Sequence, residues 1–284
     1  MWVNTTVTNR IVFKKSLTVD TDLIKLDAPT IAKKAKAGQF VIVRADDSSE
    51  RIPLTLVDWN GEEGTITLVL QKVGVSTKKL GAINVGETVH DLVGPLGNPA
   101  EVKMYGKTCI IGGGIGIAAA FPRAKALRDE GNDITSIIGA RSTELLIFED
   151  AMKSVSDQLF ITTDDGSKGQ TGFVSDVLRK LLESGTTFDL IFTVGPAPMM
   201  NTVSEITKPY GIKTIVSLNS LMVDGTGMCG CCRVSINNVT KFTCLDGPEF
   251  DGHSVDFSEL ISRLNTYNEE ERLALIHYKR EVST

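Results

Sequence analysis

The sequence lacks an apolar run of the roughly 18 residues that a membrane-spanning helix needs. Its first ten residues also lack the charged and then apolar pattern of a signal peptide. There is no excess of basic residues, because the formal net charge is −5, and this argues against nucleic-acid binding and against a polybasic membrane patch. Histidine is rare, and His90, His253 and His277 are not grouped in the sequence. We therefore expect no nucleic-acid partner and no membrane span, and we predict no catalytic role for any of the three histidines.

Cysteine is also scarce, but it is concentrated in one place. The chain has five cysteines, and four of them lie within sixteen residues. An odd number fits a reducing compartment better than a disulfide framework, so we predict a cytoplasmic protein. Asp224, Cys229, Cys232 and Cys244 follow one another with x4, x2 and x11 spacing. A plant-type [2Fe–2S] loop has C-x4-C-x2-C and a later fourth cysteine, so this is that spacing with Asp224 in the first position.

Other interpretations of the cysteine loop stay open from the residues alone. A zinc knuckle would use Cys229, Cys231, Cys232 and Cys244. Against it, zinc sites usually pair one C-x2-C with another, and adjacent Cys231 and Cys232 point in different directions. Cys231 is either a non-ligand or a substitute ligand if Asp224 does not bind. Three glycines would let the loop fold back on itself, since glycine reaches positive φ without steric cost: Gly225, Gly227 and Gly230.

The chain divides into regions with different apolar patterns. Residues 1–98 contain six short runs rich in valine, isoleucine and threonine, separated by turns such as Gly94–Gly97, which predicts a small closed antiparallel β-barrel. The predicted strands are Ile11–Phe13, Leu23–Leu26, Phe40–Val43, Leu54–Trp59, Thr65–Gln71 and Thr88–Leu92. In residues 99–218, apolar runs alternate with helix-forming stretches, which predicts a doubly wound parallel sheet. Residues 219–252 form the cysteine loop, and residues 253–284 are predicted to be a helical tail.

Two glycine-containing turns in the α/β region each follow an apolar strand and precede a helix. The first contains Gly112, Gly113, Gly114, Gly116 and Ile117, and the second contains Gly195, Pro196 and Met199. Free N–H groups and the positive end of a helix dipole at such turns suit a dinucleotide pyrophosphate. A tight strand–helix turn without a ligand is the alternative interpretation.

The residues do not decide between NAD and NADP. A ribose-binding acid at the end of the second strand would favour NAD, but Gly139-Ala-Arg141 stands there. Arg141 suits a 2′-phosphate by the same rule, whereas Asp164 and Asp165 after the third strand offer acidic or backbone contacts.

In the barrel, the segment Arg51–Thr55 combines an arginine, a proline and a hydroxyl, which suits a planar ring beside a phosphate. An exposed edge strand explains the same residues without a ligand. A second glycine turn, which includes Gln71, Gly74 and Thr77, offers N–H and hydroxyl donors for a pyrophosphate.

Four motifs run in order along nearly the whole chain: Arg51-x-Pro-Leu-Thr55, Gly112-Gly-Gly-x-Gly116, Gly195-Pro-x-Pro-Met-Met200, and Asp224-Gly-Thr-Gly-Met-Cys-Gly-x-Cys232 with the later Phe242–Gly252. The set resembles the ferredoxin–NADP reductase superfamily. Within it, the chain is similar to the small subunits of NADH-dependent reduced ferredoxin:NADP oxidoreductases, which are bifurcating transhydrogenases also called sulfide dehydrogenases. The electron-transfer subunits of dihydroorotate dehydrogenases are more distant relatives, with cysteine at the position of Asp224.

This resemblance implies an oxidoreductase subunit with three cofactors. A flavin-binding β-barrel would hold FAD through Arg51, Pro53, Leu54, Thr55, Gln71, Val73, Gly74 and Thr77. An α/β domain would hold NAD(H) at the Gly112 and Gly195 loops, and a [2Fe–2S] module would use Asp224, Cys229, Cys232 and Cys244. The resemblance also implies a heterodimer with a larger subunit that carries FAD and [4Fe–4S] clusters and handles NADP(H) and ferredoxin. The chain departs from the family at Cys231, where a small residue is usual.

Two other functions remain as alternatives. One is the electron-transfer subunit of an NAD-linked dihydroorotate dehydrogenase. The other is a nucleotide-binding module without redox activity, stabilised by a zinc knuckle, which predicts a colourless protein that contains zinc and no flavin.

Overall fold

The computed structural model describes residues 9–282, and its first region is antiparallel. This region contains two short helices, α1 (Pro29–Ala32) and α2 (Val75–Ala82). Its strands are β1 (Ile11–Ser16), β2 (Thr21–Asp27), β3 (Phe40–Arg44), β4 (Ile52–Thr55), β5 (Asp58–Asn60), β6 (Thr65–Gln71) and β7 (Asp91–Leu96). They form one sheet in the order β1-β2-β6-β5 and another in the order β4-β3-β7. Apolar side chains of both sheets share one core, which includes Ile24, Val41 and Leu68.

Hydrogen bonds between the two sheets close the predicted barrel on both sides. On one side the chain passes from β4 to β5, where Leu56 N–H donates to Gln39 O next to β3 of the second sheet and Val57 N–H donates to Thr67 O in β6 of the first sheet. On the other side, Asn9–Ile11 bonds to the segment Gly86–Val89. The predicted single strand Leu54–Trp59 is therefore wrong, because the chain changes sheets at Leu56.

The seventh strand also differs from the sequence prediction. Thr88–Leu92 was expected to be the strand and Gly94–Gly97 the turn. Instead β7 runs from Asp91 to Leu96, because residues through Leu96 continue to pair with β3, with a register shift between Phe40 and Ile42.

The second region has the predicted parallel sheet. Its strands are β8 (Lys107–Gly113), β9 (Asp133–Ala140), β10 (Gln158–Thr163), β11 (Gln170–Thr171), β12 (Leu190–Val194) and β13 (Lys213–Ser217). Its helices are α3 (Gly116–Asp129), α4 (Glu149–Ser154), α5 (Val174–Glu183) and α6 (Ala197–Thr207). Single-turn 3-10 helices occur at Thr143–Leu145, Lys208–Tyr210 and, later in the chain, Gly252–Ser254. Residues 190–194 of β12 are all buried, as expected for a central strand covered on both faces.

The cysteine region is joined to the parallel sheet. It contains β14 (Arg233–Ile236), β15 (Val239–Phe242), α7 (Thr243–Asp246) and β16 (Glu249–Asp251). β14 and β15 form a hairpin, whereas β16 pairs antiparallel with β13 as the edge of the seven-stranded sheet β11-β10-β9-β8-β12-β13-β16. The sequence does not predict this edge strand.

Two helices follow, α8 (Phe257–Leu264) and α9 (Asn268–Val282). α9 is the predicted tail helix, but Leu273 and Ile276 are 45% and 36% exposed, and Leu275 is better covered. No helix among residues 9–282 has both the length and the apolar character needed to cross a membrane.

Candidate functional site

The two glycine turns lie side by side at the edge where the order of the parallel strands reverses. Chain order runs outward from β8 through β9 and β10 on one side, and through β12 and β13 on the other. The turn Gly112–Gly116 follows β8, and Gly195–Pro196 follows β12, the strand next to it. Ligands of open α/β sheets bind at this point, outside the carboxyl ends of the strands. The fold thus brings the two predicted loops to one crevice.

Glycine is required in these turns because the backbones lie too close for side chains. A Cβ on Gly116 would lie 2.4 Å from the carbonyl oxygen of Val194, and one on Gly113 would lie 2.4 Å from Sδ of Met199. Gly114 has a φ of +56° and open space beside its Cα, while its N–H donates to Gly139 O at 2.8 Å. These contacts account for the glycines and leave an open backbone cradle that fits a pyrophosphate.

The residues considered for ribose recognition meet beside this crevice. Arg141 follows β9, and its carbonyl accepts a 3.2 Å hydrogen bond from the Asp165 N–H. Asp165 Oδ1 also accepts from the hydroxyl and the N–H of Ser167, and these bonds lower the pKa of Asp165. Asp164 and Arg141 are exposed. Both carboxylates and a guanidinium therefore lie near the expected ribose position.

In the barrel, Arg51–Thr55 occupies the edge of the three-stranded sheet. β4 pairs only with β3 among the described strands, opposing Pro53 to Ile42. Proline is tolerated there because an edge strand leaves one side of its backbone unpaired. The N–H of Glu50 donates to Ser76 Oγ at 3.0 Å, which ties the segment before Arg51 to the first turn of α2.

The second barrel motif forms the start of α2. Gly74 precedes the helix, and its N–H donates to Thr77 Oγ1 at 3.0 Å, while the Thr77 hydroxyl donates back to Gly74 O. Val73 is 60% exposed, whereas the Gln71 amide donates to Asp20 Oδ2 at 3.0 Å. The structure therefore ties the segment before Arg51 to the helix start that contains Gly74 and Thr77, and it turns the amide of Gln71 toward Asp20.

The cysteine loop brings together two of the predicted ligands. Sγ of Cys232 and Sγ of Cys244 are 3.1 Å apart, both residues are buried, and the Cys244 N–H points at Cys232 Sγ at 3.5 Å. Cys229 is exposed and Cys231 is partly buried. Among residues 9–282, no three His, Cys, Asp or Glu side chains converge closely enough to hold a metal ion. The predicted glycines have φ of +79°, +87° and +68° at Gly225, Gly227 and Gly230.

Asp224 is held in the loop by its own backbone turn. Its carboxylate accepts from the N–H groups of Thr226 and Met228 at 3.1 Å each and from the Thr226 hydroxyl at 2.7 Å. The Thr226 hydroxyl is the main cause that lowers the pKa of Asp224. The carboxyl group is therefore an anionic donor, and its charge acts on both Cys229 and Cys244.

The thiols differ in their environments. The backbone N–H of Cys231 donates to Cys229 and lowers the pKa of that thiol, whereas burial is the main cause that raises the pKa of Cys231. Burial, followed by the hydrogen bond with Cys232, raises the pKa of Cys244 to about 12. Three thiols, one carboxylate and N–H groups directed at sulfur form a donor set that fits an iron–sulfur cluster. Cys109 is fully buried in β8, as expected for a core residue.

The cysteine loop packs against the same sheet that carries the Arg51 motif. Cys232, Cys244 and Met222 share an apolar cluster with Phe40 and Ile42 of β3. A Cβ on Gly225 would lie 2.7 Å from Cγ1 of Ile42, and Ile42 is the residue paired with Pro53. A single strand thus separates the cysteine loop from the Arg51–Thr55 edge.

The residues that hold the three regions together were not predicted from the sequence. Asn98 N–H donates to Gly247 O at 2.7 Å, and its side-chain amide donates to Leu245 O at 3.1 Å. Arg123 of α3 pairs with Glu249 of β16 at 3.6 Å, and both side chains are nearly inaccessible. No local pattern predicts these contacts, since each joins residues that are distant in sequence.

Comparison with known proteins identifies the family of the chain. Residues 219–256 match the iron-sulfur cluster binding domain of dihydroorotate dehydrogenase B. A dihydroorotate dehydrogenase B (NAD(+)) electron transfer subunit homolog from Thermotoga maritima is 44% identical over 279 residues, covering 98% of this chain and 97% of that protein. The chain belongs to this family. The electron transfer subunit from Clostridium perfringens is 30% identical over 225 residues, 79% of this chain and 88% of that one.

A solved structure has the same fold as this chain. The NADH-dependent reduced ferredoxin-NADP oxidoreductase, a structure described for flavin-based electron bifurcation, matches with a TM-score of 0.91 and 43% identity. The match covers 97% of this chain and 99% of that chain. The predicted fold class is confirmed: a ferredoxin reductase-like fold of antiparallel barrel and parallel sheet, followed by an iron–sulfur binding region. The chain is an electron-transfer subunit of the ferredoxin reductase family.

Proposed function

We propose that this chain is the small subunit of an NADH-dependent reduced ferredoxin:NADP oxidoreductase, and that it binds FAD, NAD(H) and a [2Fe–2S] cluster. Its partner would be a larger subunit with FAD and [4Fe–4S] clusters that handles NADP(H) and ferredoxin. The observation that carries the proposal is the position of β3, whose Ile42 contacts the cysteine loop on one side and pairs with Pro53 of the Arg51–Thr55 edge on the other. This arrangement suits direct electron exchange between a flavin and a cluster.

The regions have separate tasks in this proposal. Residues 1–98 hold FAD, residues 99–218 hold NAD(H), and residues 219–252 hold the cluster, with β16 anchoring that module to the nucleotide sheet. When bound, these groups supply hydride transfer between nicotinamide and flavin and single-electron transfer to the cluster. The chain's own residues bind and orient: the Gly112 and Gly195 turns receive the pyrophosphate, and Asp224, Cys229, Cys232 and Cys244 supply the iron ligands.

Three observations support this subfamily and a partner. Asp224 stands in the first ligand position with its carboxylate oriented by two backbone N–H groups. The likeness to the bifurcating oxidoreductase extends over almost the whole chain. Apolar residues next to three proposed ligands in sequence are exposed, which suits a protein surface covering the cluster: Val223 before Asp224 at 52%, Met228 before Cys229 at 88% and Leu245 after Cys244 at 57%.

The proposal is tested by purifying the chain anaerobically from its native source. We expect flavin, iron and sulfide in the preparation, and a larger iron–sulfur flavoprotein that copurifies. Recovery of this chain alone, fully active with NADPH and ferredoxin, would refute the need for a partner.

The match of residues 219–256 favours a second candidate, the electron-transfer subunit of a dihydroorotate dehydrogenase. The copurified complex distinguishes the two. Reduction by dihydroorotate, with no transfer between NADPH and ferredoxin, would establish the second candidate and overturn the first. A colourless chain that contains zinc and no flavin would overturn both.

A further inference from the structure

Helix α8 is attached to the cysteine loop at both of its ends. At its start, the N–H of Asp256 donates to Ser235 O at 2.9 Å, and the Asp256 carboxylate caps the helix by accepting from Glu259 N–H. In its last turn, Arg263 Nη2 donates to Cys231 O at 3.0 Å. The helix therefore lies along the segment between Cys231 and Ser235, although the family match ends at residue 256.

Packing fixes the helix in this position. Phe257 and Leu260 are buried in one apolar cluster with Met200 of α6 and Val234 of β14. Arg263 follows Leu260 by three residues, so it lies on the same side of the helix. Its guanidinium is thus held against the loop by a buried helix face.

The guanidinium of Arg263 carries a positive charge. Among residues 9–282, no carboxylate lies within ion-pair distance of it. Glu259, one turn earlier on α8, makes no such pair with it. A second arginine, Arg233, donates from Nη1 to Gly230 O at 3.2 Å and is likewise outside ion-pair distance of any described carboxylate. The two arginines bind consecutive carbonyls, between the proposed ligands Cys229 and Cys232.

We infer that the positive charge of Arg263, assisted by that of Arg233, raises the reduction potential of the cluster, so that α8 is part of the redox module. The inference rests on the proposed [2Fe–2S] site. Reduction adds one electron, and a fixed cation beside the cluster favours the more negative state. A unit charge acting across about 10 Å at an effective dielectric constant of about 20 changes such an equilibrium roughly tenfold.

The test is an EPR-monitored redox titration of the complete chain as the wild type, R263Q, R263K and R272Q. We expect R263Q to be about tenfold harder to reduce, which is a fall of about 59 mV for a one-electron couple. R263K should stay close to the wild type because it keeps the charge. R272Q removes the same charge from α9, where Arg272 pairs with Glu269 at 2.6 Å, and should not shift the potential. The flavin potentials should not change in any variant.

Equal potentials in the wild type and R263Q would overturn the inference, as would equal shifts in R263Q and R272Q. If R263Q assembles no cluster, R233Q decides, because it removes the neighbouring charge and keeps the Arg263 anchor. A lower potential in R233Q supports the inference, and an unchanged one refutes it. A wild type without iron and sulfide would instead refute the proposed function itself.

Discussion

Replacing Arg123 by methionine should leave a buried carboxylate without its counter-charge. The Arg123 and Glu249 side chains are 2% and 13% exposed, and their nearest charged atoms are 3.6 Å apart. Arg123 also donates to Glu101 O at 2.8 Å and lies over the ring of Phe192. Arg123 Nε and Glu249 Oε1 have no hydrogen-bond partner among the described residues.

The expected loss of unfolding free energy in R123M follows from this geometry. Removing one partner of a buried ion pair costs about 3–5 kcal/mol, and the lower end applies because 3.6 Å is longer than a charge-assisted hydrogen bond. At about 2–4 °C per kcal/mol for a chain of this size, a loss of about 3 kcal/mol lowers the melting temperature by about 6–12 °C. The assay is thermal denaturation of the holoprotein, with R123M compared with R128M. Arg128 lies on the same helix but pairs with Asp157 on the surface, so R128M should cost about 1 kcal/mol or less.

The loss of unfolding free energy in R123M should depend on pH. Burial raises the pKa of Glu249 above its ordinary value of 4.5, and Arg123 opposes that shift. Without Arg123 the folded-state pKa rises further, so protonation of Glu249 favours the folded state at low pH, and this contribution is lost as the pH rises through the folded-state pKa. We therefore expect R123M to lose less unfolding free energy, relative to the wild type, at pH 5 than at pH 8. We also expect R123M/E249Q to lose less than R123M. A loss of unfolding free energy that is independent of pH would refute this reasoning. So would a loss in the double variant that equals the sum of the losses in R123M and E249Q.

Three further predictions concern the cofactor sites. In D224C, a thiolate replaces the proposed carboxylate ligand, so the EPR spectrum and potential of the cluster should change; identical values would show that Asp224 is not a ligand. In G116A, a Cβ would lie 2.4 Å from Val194 O, so NADH should reduce the flavin at least about tenfold less efficiently. G61A is the control, since the nearest atoms would be 3.8 Å away, and equal losses in both would argue against a nucleotide site. In R141A, kcat/KM for NADH should stay close to that of the wild type, because the proposed NAD(H) has no 2′-phosphate for Arg141 to bind; a large loss would mean that Arg141 contacts NAD(H) itself.

The sequence predicted those features that depend on local pattern. The apolar run of β8, the glycine turn and the following helix form a βα unit, so the Gly112 loop could be placed from residues alone. The Gly195 loop follows by the same pattern, and the strand order then brings both to one crevice. The glycines of the cysteine loop were predictable because positive φ is a local requirement.

Features that depend on tertiary contacts were not predictable. β16 has only three residues, and it becomes a strand because β13 offers it a free edge. The break at Leu56 arises because the barrel closes there. Arg123 resembles any helix arginine until Glu249 lies beside it, and Arg263 lies outside every motif.

In our proposal, this chain carries a flavin beside a [2Fe–2S] cluster and accepts electrons from NADH. The most direct test is an anaerobic ultraviolet–visible spectrum of the purified chain, with analysis of flavin, iron, sulfide and zinc. We expect FAD with about two irons and two sulfides per chain, and bleaching of the spectrum by NADH. Zinc without flavin, or a flavin spectrum that NADH does not change, would contradict it.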